Sequence, residues 1–522
     1  MNNKLVSTDK KILVDNTMWM YLGKIVSQIL GLVASVLVIR KLPVDDYGTY
    51  LFIFGLFFIY QLLITSPIKH LLLRFVPELR SKKQYLPLKY LLLTTFFGAI
   101  VLIVVFTLCL VLFREQIMPF FNLSQFYLFV NAFVVFVLAY AMANYFESLL
   151  SAYLLHKWIA FIKVLVVVVR SVSYFVLYNK LGVETLLFIE AGVSIVSVLL
   201  ALFAIYFKVL PELIKFRAIQ NSIVIVKQRM WRFWSLSLFS ELGYGIIGRT
   251  SDQYIIAAMS NPYYVGLYGF SLKVFEIVYK ILPLREFESV LKPVFFKKFS
   301  KKTASSVLND YYLFIIKVIL PVLIFPLLYF LIFGKGLIIH VFDIKYIEAY
   351  RLTVIALLSI CLNACFYPLS MLVQLKERVE IILYTRIVAV FSITMGVFLM
   401  AKIGIVGVAI ASLLGELFKN LLMLVLFRKY VKLKYDWSVL MRYFLILLLS
   451  VALFLPFYSY QQELMFLVLG SLILPLIYFL TLINYHSFTP EELRRLETIL
   501  MSSNKTARLY ARINPIILKL KF

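Results

Sequence analysis

The chain has 522 residues, of which 63% are hydrophobic and 15% charged, and its formal net charge is +27. A mean hydropathy of +0.94 excludes a water-soluble domain of ordinary composition. The charge alone would suit a nucleic-acid binder, but Lys and Arg sit in short gaps between long apolar stretches, which is a topology pattern and argues against a nucleic-acid partner.

A helix needs roughly 20 apolar residues to cross the hydrocarbon core of a bilayer. Stretches of that length fall at 17–39, 50–73, 88–113, 126–150, 159–178, 185–207, 231–259, 263–284, 311–334, 351–373, 381–401, 405–427, 440–457 and 465–484. They predict an all-α, polytopic membrane protein with about 14 transmembrane helices. The gaps after even spans are basic, as in Arg74, Arg80, Lys82 and Lys83, or Lys297, Lys298, Lys301 and Lys302, whereas those after odd spans are nearly free of Lys and Arg. The positive-inside rule then puts both termini in the cytoplasm, with anionic membrane lipid as a partner of the basic loops. The first stretch is too long for a cleavable signal and has no small-residue cleavage site after it.

In span one, Gly23, Ser27, Gly31 and Ser35 recur every fourth residue, a small-residue ridge on which another helix can pack closely. Lys24 and Gln28 lie beside that ridge. Two accounts stay open for Lys24, the lining of a polar cavity or a side chain snorkelling to the surface. Span four carries Glu147, span five Arg170 and span six Glu190. Arg170 has no partner within one turn of its own helix, and Glu147 and Glu190 are candidates for ion or proton coupling or are hydrogen-bonded structural carboxyls. Residues 211–230 mix apolar and basic residues as an amphipathic connector, ending at Trp231 and Trp234 near the interface.

Span seven is the most polar: Glu241, Gly245, Arg249 and Asp252 share a face. Arg249 and Asp252 can neutralise each other at i,i+3, as can Lys273 and Glu276 in span eight and Glu416 and Lys419 in span twelve. The basic members can also give a central cavity a positive field for an anionic substrate. The candidate binding set is therefore Lys24, Gln28, Arg170, Arg249, Asp252, Lys273 and Glu276, with Glu147, Glu190 and Glu241 as candidate coupling sites. The three cysteines lie inside apolar spans, and the four histidines are scattered. No Walker A loop, HExxH motif or serine-nucleophile elbow occurs, so neither a cofactor, a metal nor a catalytic residue is expected. After 487 the sequence opens with Thr489-Pro490-Glu491-Glu492 and reads as a basic amphipathic helix on the membrane surface.

Two elements occur twice. Pro43-Val44-Asp45-Asp46-Tyr47-Gly48-Thr49-Tyr50 is matched by Pro262-Tyr263-Tyr264-Val265-Gly266-Leu267-Tyr268, each a proline turn followed by Gly-x-Tyr at a helix start. Lys180-Leu181-Gly182-Val183 is matched by Lys402-Ile403-Gly404-Ile405. Both pairs are about 220 residues apart, which predicts a parallel repeat of six spans related by a pseudo-two-fold axis along the membrane normal. The expected domains are an N-lobe at 1–210, the connector at 211–230, a C-lobe at 231–430, two further helices in 431–486 and a cytoplasmic tail at 487–522.

The Arg-x-Leu-Pro-x-Asp-Asp-Tyr-Gly-x-Tyr run from Arg40 to Tyr50 resembles the loop after the first helix of polysaccharide (O-antigen and capsule) flippases. Asp252-Gln253-Tyr254-Ile255-Ile256, with Val265-Gly266-Leu267-Tyr268, resembles that family's seventh-helix signature. Arg74-Phe75-Val76-Pro77 and Gly404 to Ala411 are similar to two further patterns, so the resemblance covers about residues 15 to 430. The family belongs to the multidrug/oligosaccharidyl-lipid/polysaccharide exporter superfamily. The resemblance implies two six-helix lobes around a cavity, and alternating-access movement of polyprenyl-diphosphate-linked oligosaccharide across the bacterial inner membrane. It also implies a place in lipopolysaccharide or capsule synthesis beside other polysaccharide-assembly membrane proteins. Fourteen spans rather than twelve look more like the lipid II branch. The competing readings are a multidrug exporter of the same architecture and a membrane glycosyltransferase or polymerase, for which the outward gaps are short.

Overall fold

The computed structural model describes residues 27–121, 129–215, 223–246, 250–282, 299, 304–431, 433 and 437–484. Among these the chain is all α, with no strand. Among the described residues the expected spans fall on helical segments, and eleven helices are long and apolar enough to cross a membrane; residues 17–26 of span one lie outside them. Those falling short include Ile223–Ile246 and Pro262–Ile281. The first carries Lys227, Arg229, Arg232 and Glu241, the second Lys273, Glu276 and Lys280, so they fail through the polar residues that make them interesting.

Several spans differ in detail from their sequence reading. Span two runs over Val44–Ser81 rather than 50–73. A π turn at Gln61–Thr65 precedes Pro67. Pro67 has no N–H to give to the preceding turn, and the wider turn absorbs that loss without ending the helix. Span seven is built from Ile223–Ile246 and Thr250–Met259. The expected span 351–373 breaks after Tyr350–Ala364 and resumes at Leu369–Leu375, past Pro368. The small-residue ridge of span one is not a close packing site at Gly31, where an added Cβ would meet nothing within 4 Å. Ser35 instead folds its hydroxyl back onto the Gly31 carbonyl at 2.7 Å, the internal solution open to a hydroxyl without water. The repeated Lys-x-Gly elements do open helices, Val183–Lys208 and Ile405–Phe427. Gly404 has φ +66°, which favours glycine.

The helices gather into two compact units. The first holds residues up to Lys280 together with 341–353 and 386–415. Within it, Val130–Ala152 packs along Val183–Lys208, and His156–Val176 along Val183–Lys208. Buried Phe52, Phe133, Phe136 and Tyr60 fill its interior. Hydroxyls in this apolar setting find partners, since an unmet one costs free energy: Tyr60 donates to Thr107 at 3.1 Å, and Thr107 to the Ile103 carbonyl at 2.7 Å.

The repeated Pro…Gly-x-Tyr elements meet inside this unit. A Cβ on Gly48 would collide with the Pro262 carbonyl oxygen and lie 2.8 Å from the Gly266 nitrogen. A Cβ on Gly266 would collide with the Val44 carbonyl oxygen. Gly48 and Gly266 are equivalent in the repeat, and so are Val44 and Pro262. The contact is therefore reciprocal: each helix start lays its glycine against the other's first carbonyl, as a two-fold relation requires. Only glycine permits two backbones to come this close.

The second unit holds 281–340, 354–385 and the chain from 416 onward. Here Ser305–Leu337 packs on Trp437–Phe454 and Leu464–Asn484. Pro321 lies inside Ser305–Leu337 and cannot donate to the carbonyl four residues back, that of Lys317. Tyr443 supplies the missing donor to Lys317 O at 3.1 Å, and Tyr478 donates to Pro321 O at 2.7 Å. Large apolar side chains such as Phe97, Leu108, Leu472 and Leu476 point outward, the arrangement of a protein solvated by lipid.

Candidate functional site

His156–Val176 and Val183–Lys208 form a helical hairpin across a short turn. Arg170 stands six residues before the end of the first and Glu190 seven after the start of the second. Both are therefore about 10 Å from the turn, at 1.5 Å per residue. They form an ion pair, Arg170 Nη2 to Glu190 Oε2 at 2.8 Å. Tyr174, one turn after Arg170, donates to the other oxygen, Glu190 Oε1, at 2.5 Å. Tyr50, from Val44–Tyr60, lies beside Tyr174, and Tyr140 lies within electrostatic reach of the pair. Both Glu190 oxygens are thus occupied, as a carboxylate only 4% exposed demands. Arg170 is less sealed: its side chain is 26% exposed, and its Nε is a buried donor without a partner among the described residues.

Lys273, on Pro262–Ile281, is within electrostatic reach of Arg170 and Glu190. Its pair with Glu276 spans 3.9 Å, while Glu276 is also held by Lys280 at 3.2 Å. Two cations and one buried carboxylate thus share one polar cluster, ringed by tyrosines.

Asp252 makes a second, buried cluster. Its Oδ2 accepts from Tyr268 at 2.5 Å and from Ser412 at 2.6 Å. Tyr268 is the repeat equivalent of Tyr50, so in each half the tyrosine of Gly-x-Tyr lies near a buried carboxylate. The other two candidate coupling carboxylates also have basic neighbours. Glu147 pairs with Lys163 at 2.7 Å and Glu241 with His70 at 3.1 Å. Gln28 is half-buried in the helix of residues 27–41. Lys24 and Arg249 lie outside the described residues. Of the residues expected from sequence, the structure brings together Arg170, Glu190, Lys273 and Glu276, and sets Asp252, Glu147 and Glu241 in separate clusters.

Sequence reasoning missed the hydroxyl partners Tyr50, Tyr174, Tyr268 and Ser412, and the buried cation Lys317, 7% exposed. The Arg170–Glu190 pairing had a usable signal, the equal distance of both residues from the 177–182 turn. The tyrosines had none, because aromatic residues make up 16% of the chain.

Toward the basic gaps lies a third group of charges. Glu78 takes a bidentate contact from Arg229, both bonds at 2.8 Å, and one from Lys82 at 2.8 Å. The hydrogen-bonded Glu78 carboxylate raises the Arg229 guanidinium above its ordinary pKa. Arg80 grips Glu212 at 2.9 and 2.8 Å and covers the Tyr153 ring. These contacts fasten both ends of the expected connector to the Ser66–Ser81 helix.

The chain is thus a multi-pass, all-α membrane protein with charged side chains buried among its helices. The chain is similar to the lipid II flippase MurJ in its inward closed conformation, with a TM-score of 0.57, 12% identity, and coverage of 90% of this chain and 99% of that one. It is also similar to an inward-facing multidrug resistance MATE family transporter of the MOP superfamily, with a TM-score of 0.59, 14% identity, and coverage of 77% and 94%. No curated protein matches the sequence. The family described as polysaccharide biosynthesis protein matches residues 13–299, more than half of the chain, and the chain belongs to that family.

Proposed function

We propose that the protein is a flippase that carries a polyprenyl-diphosphate-linked oligosaccharide across the bacterial inner membrane by alternating access. Its termini are cytoplasmic, and its lobes comprise residues 1–210 and 231–430. The observation that carries this reading is the buried Arg170–Glu190 pair with a second cation, Lys273, within electrostatic reach of it, in a member of a polysaccharide-biosynthesis family. A diphosphate needs cationic donors in a site shielded from water, while the polyprenyl tail can stay in lipid. In this reading Lys24, Gln28, Arg249 and Asp252 belong to the same cavity, Glu276 tempers the charge of Lys273, and Glu147, Glu190 and Glu241 are the candidate proton or ion sites. The similarity to a multidrug transporter supports a second reading, but a cationic drug would be repelled by Arg170 and Lys273.

The test is flipping of a polyprenyl-diphosphate oligosaccharide in proteoliposomes, read by access of an external lectin to the glycan. A charge-assisted contact is worth about 1.5–3 kcal/mol, so Lys273→Ala should slow flipping by about 10- to 150-fold. Lys273→Arg should keep most of it. Wild-type flipping in Lys273→Ala, or its recovery in Lys273→Ala with Glu276→Gln, would reduce Lys273 to a structural partner of Glu276.

A further inference from the structure

The reciprocal glycine crossing is capped by a third piece of chain. Between Ser305–Leu337 and Tyr350–Ala364 the backbone leaves the α-helix for a π turn at Ile338–Phe342 and a 3₁₀ segment at Ile344–Ala349. Asp343 begins the latter, accepting the Lys345 amide at 3.1 Å. Tyr346 of this segment is fully buried between the two repeat arms. Its ring stacks on Phe270 at 4.6 Å and 17° and meets Tyr47 edge-on at 5.9 Å and 85°. Phe342 adds an edge contact to Phe270 at 5.0 Å. Polar clasps flank the rings. Arg40 Nε donates to the Phe342 carbonyl at 2.8 Å, Lys345 Nζ donates to the Arg40 carbonyl at 2.7 Å, and Tyr263 donates to Glu348 at 3.2 Å. Residues 342–348 therefore touch the first arm through Arg40 and Tyr47 and the second through Tyr263 and Phe270.

We infer that residues 342–348 are a releasable wedge that holds the two repeat arms closed at the outer face, with Tyr346 as its key side chain. The outer location rests on the topology proposed above; the wedge itself rests on the contacts. Three features distinguish it from ordinary core. The Gly48–Gly266 crossing brings two backbones together with no side chain between them, so these arms either meet fully or part. The clasps at Arg40 and Lys345 end on backbone carbonyls next to exposed positions, where water can replace them. The Tyr346 hydroxyl is buried without a partner among the described residues. An unmet hydroxyl penalises the closed arrangement and regains water when the wedge lifts, so tyrosine here favours a closure that can be undone.

Thiol accessibility tests this without any cargo. Leu51, whose methyl group occupies the space an added Cβ on Gly269 would need, lies one turn past Gly48 on the first arm. A Leu51→Cys reporter, with Cys109, Cys361 and Cys365 changed to Ser, is treated with an impermeant thiol reagent in right-side-out and in inverted membrane vesicles. Tyr346→Ala should raise labelling in right-side-out vesicles about tenfold or more. Tyr346→Phe keeps the rings and removes the unmet hydroxyl, so it should lower labelling at least about fivefold. A merely structural tyrosine would give no decrease with phenylalanine. Labelling that is unchanged in both variants would overturn the wedge, and Tyr346→Phe decides the matter alone if the alanine variant does not fold. A response confined to inverted vesicles would overturn the outer placement. Neither readout depends on flipping, so failure of the flippase reading would show only in the lectin assay.

Discussion

Arg170 and Glu190 invite the most discriminating experiment, because a structural pair and a binding site answer a double mutant differently. Removing one partner of a buried ion pair costs about 3–5 kcal/mol, since the survivor keeps its desolvation penalty. The structure apportions that cost unequally. Arg170→Ala leaves Glu190, 4% exposed, with the Tyr174 hydrogen bond and the more distant charge of Lys273, whereas Glu190→Leu leaves an arginine that is 26% exposed and can reach water. Arg170→Ala should therefore be the more destabilising single change, at the upper end of that range. The double change Arg170→Ala with Glu190→Leu strands no charge, so its loss should be smaller than either single loss and far below their sum. Thermal unfolding of the detergent-purified protein should then rank the melting temperatures as wild type, double variant, Glu190→Leu and Arg170→Ala, from highest to lowest. Flipping should follow another order, with the stable double variant as inactive as Arg170→Ala. Recovery of flipping along with stability would refute a binding role for Arg170. Simple addition of the two stability losses would refute the pairing itself.

Gly48→Ala should destabilise the protein by about 1–3 kcal/mol or more, because backbone on the opposite helix cannot yield as a side chain can, whereas Gly31→Ala should be neutral; thermal unfolding of the two variants compares them directly. For topology, an impermeant thiol reagent added outside cells should label Asn261→Cys and spare Lys82→Cys in a cysteine-free background, and the reverse pattern would invert the assignment. Asp252→Asn keeps an acceptor for Tyr268 and Ser412 and should retain most of the stability lost in Asp252→Leu, as read by unfolding temperature; equal losses would mean that the carboxylate charge rather than its hydrogen bonds holds this cluster.

Much of the fold was legible because lipid simplifies the code. Hydrocarbon demands apolar stretches of fixed minimum length, and span boundaries such as 405–427 and 465–484 coincide with Ile405–Phe427 and Leu464–Asn484 to within a residue. The breaks were harder to read. A run such as 351–373 looks continuous because composition does not reveal where a helix restarts, and the π turn at Gln61–Thr65 answers Pro67, whose cost depends on its neighbours. For the site, periodicity placed charges on their own helices and so proposed i,i+3 partners. It could place Lys273 with Glu276, but the partner of Arg170 lies on the next helix, and that required the hairpin geometry.

The repeat gives a further reason to separate what the fold needs from what the chain adds. The Gly-x-Tyr motif is kept in both halves, and the reciprocal crossing of Gly48 and Gly266 explains why its glycine is required. The charges are not kept. By the Lys180–Lys402 register, the equivalents of Arg170 and Glu190 are Ser392 and Ser412. The second half instead takes its carboxylate from Asp252, whose equivalent by the Gly48–Gly266 register is Ala34. Each half thus holds a buried carboxylate near its motif tyrosine, on different helices and with different chemistry. If an arginine at the depth of Arg170 were needed to assemble six such helices, the second copy would need one too, yet it holds a serine there. A cation that costs several kcal/mol to bury, and that the second copy does without, is what the binding role proposed for Arg170 would explain.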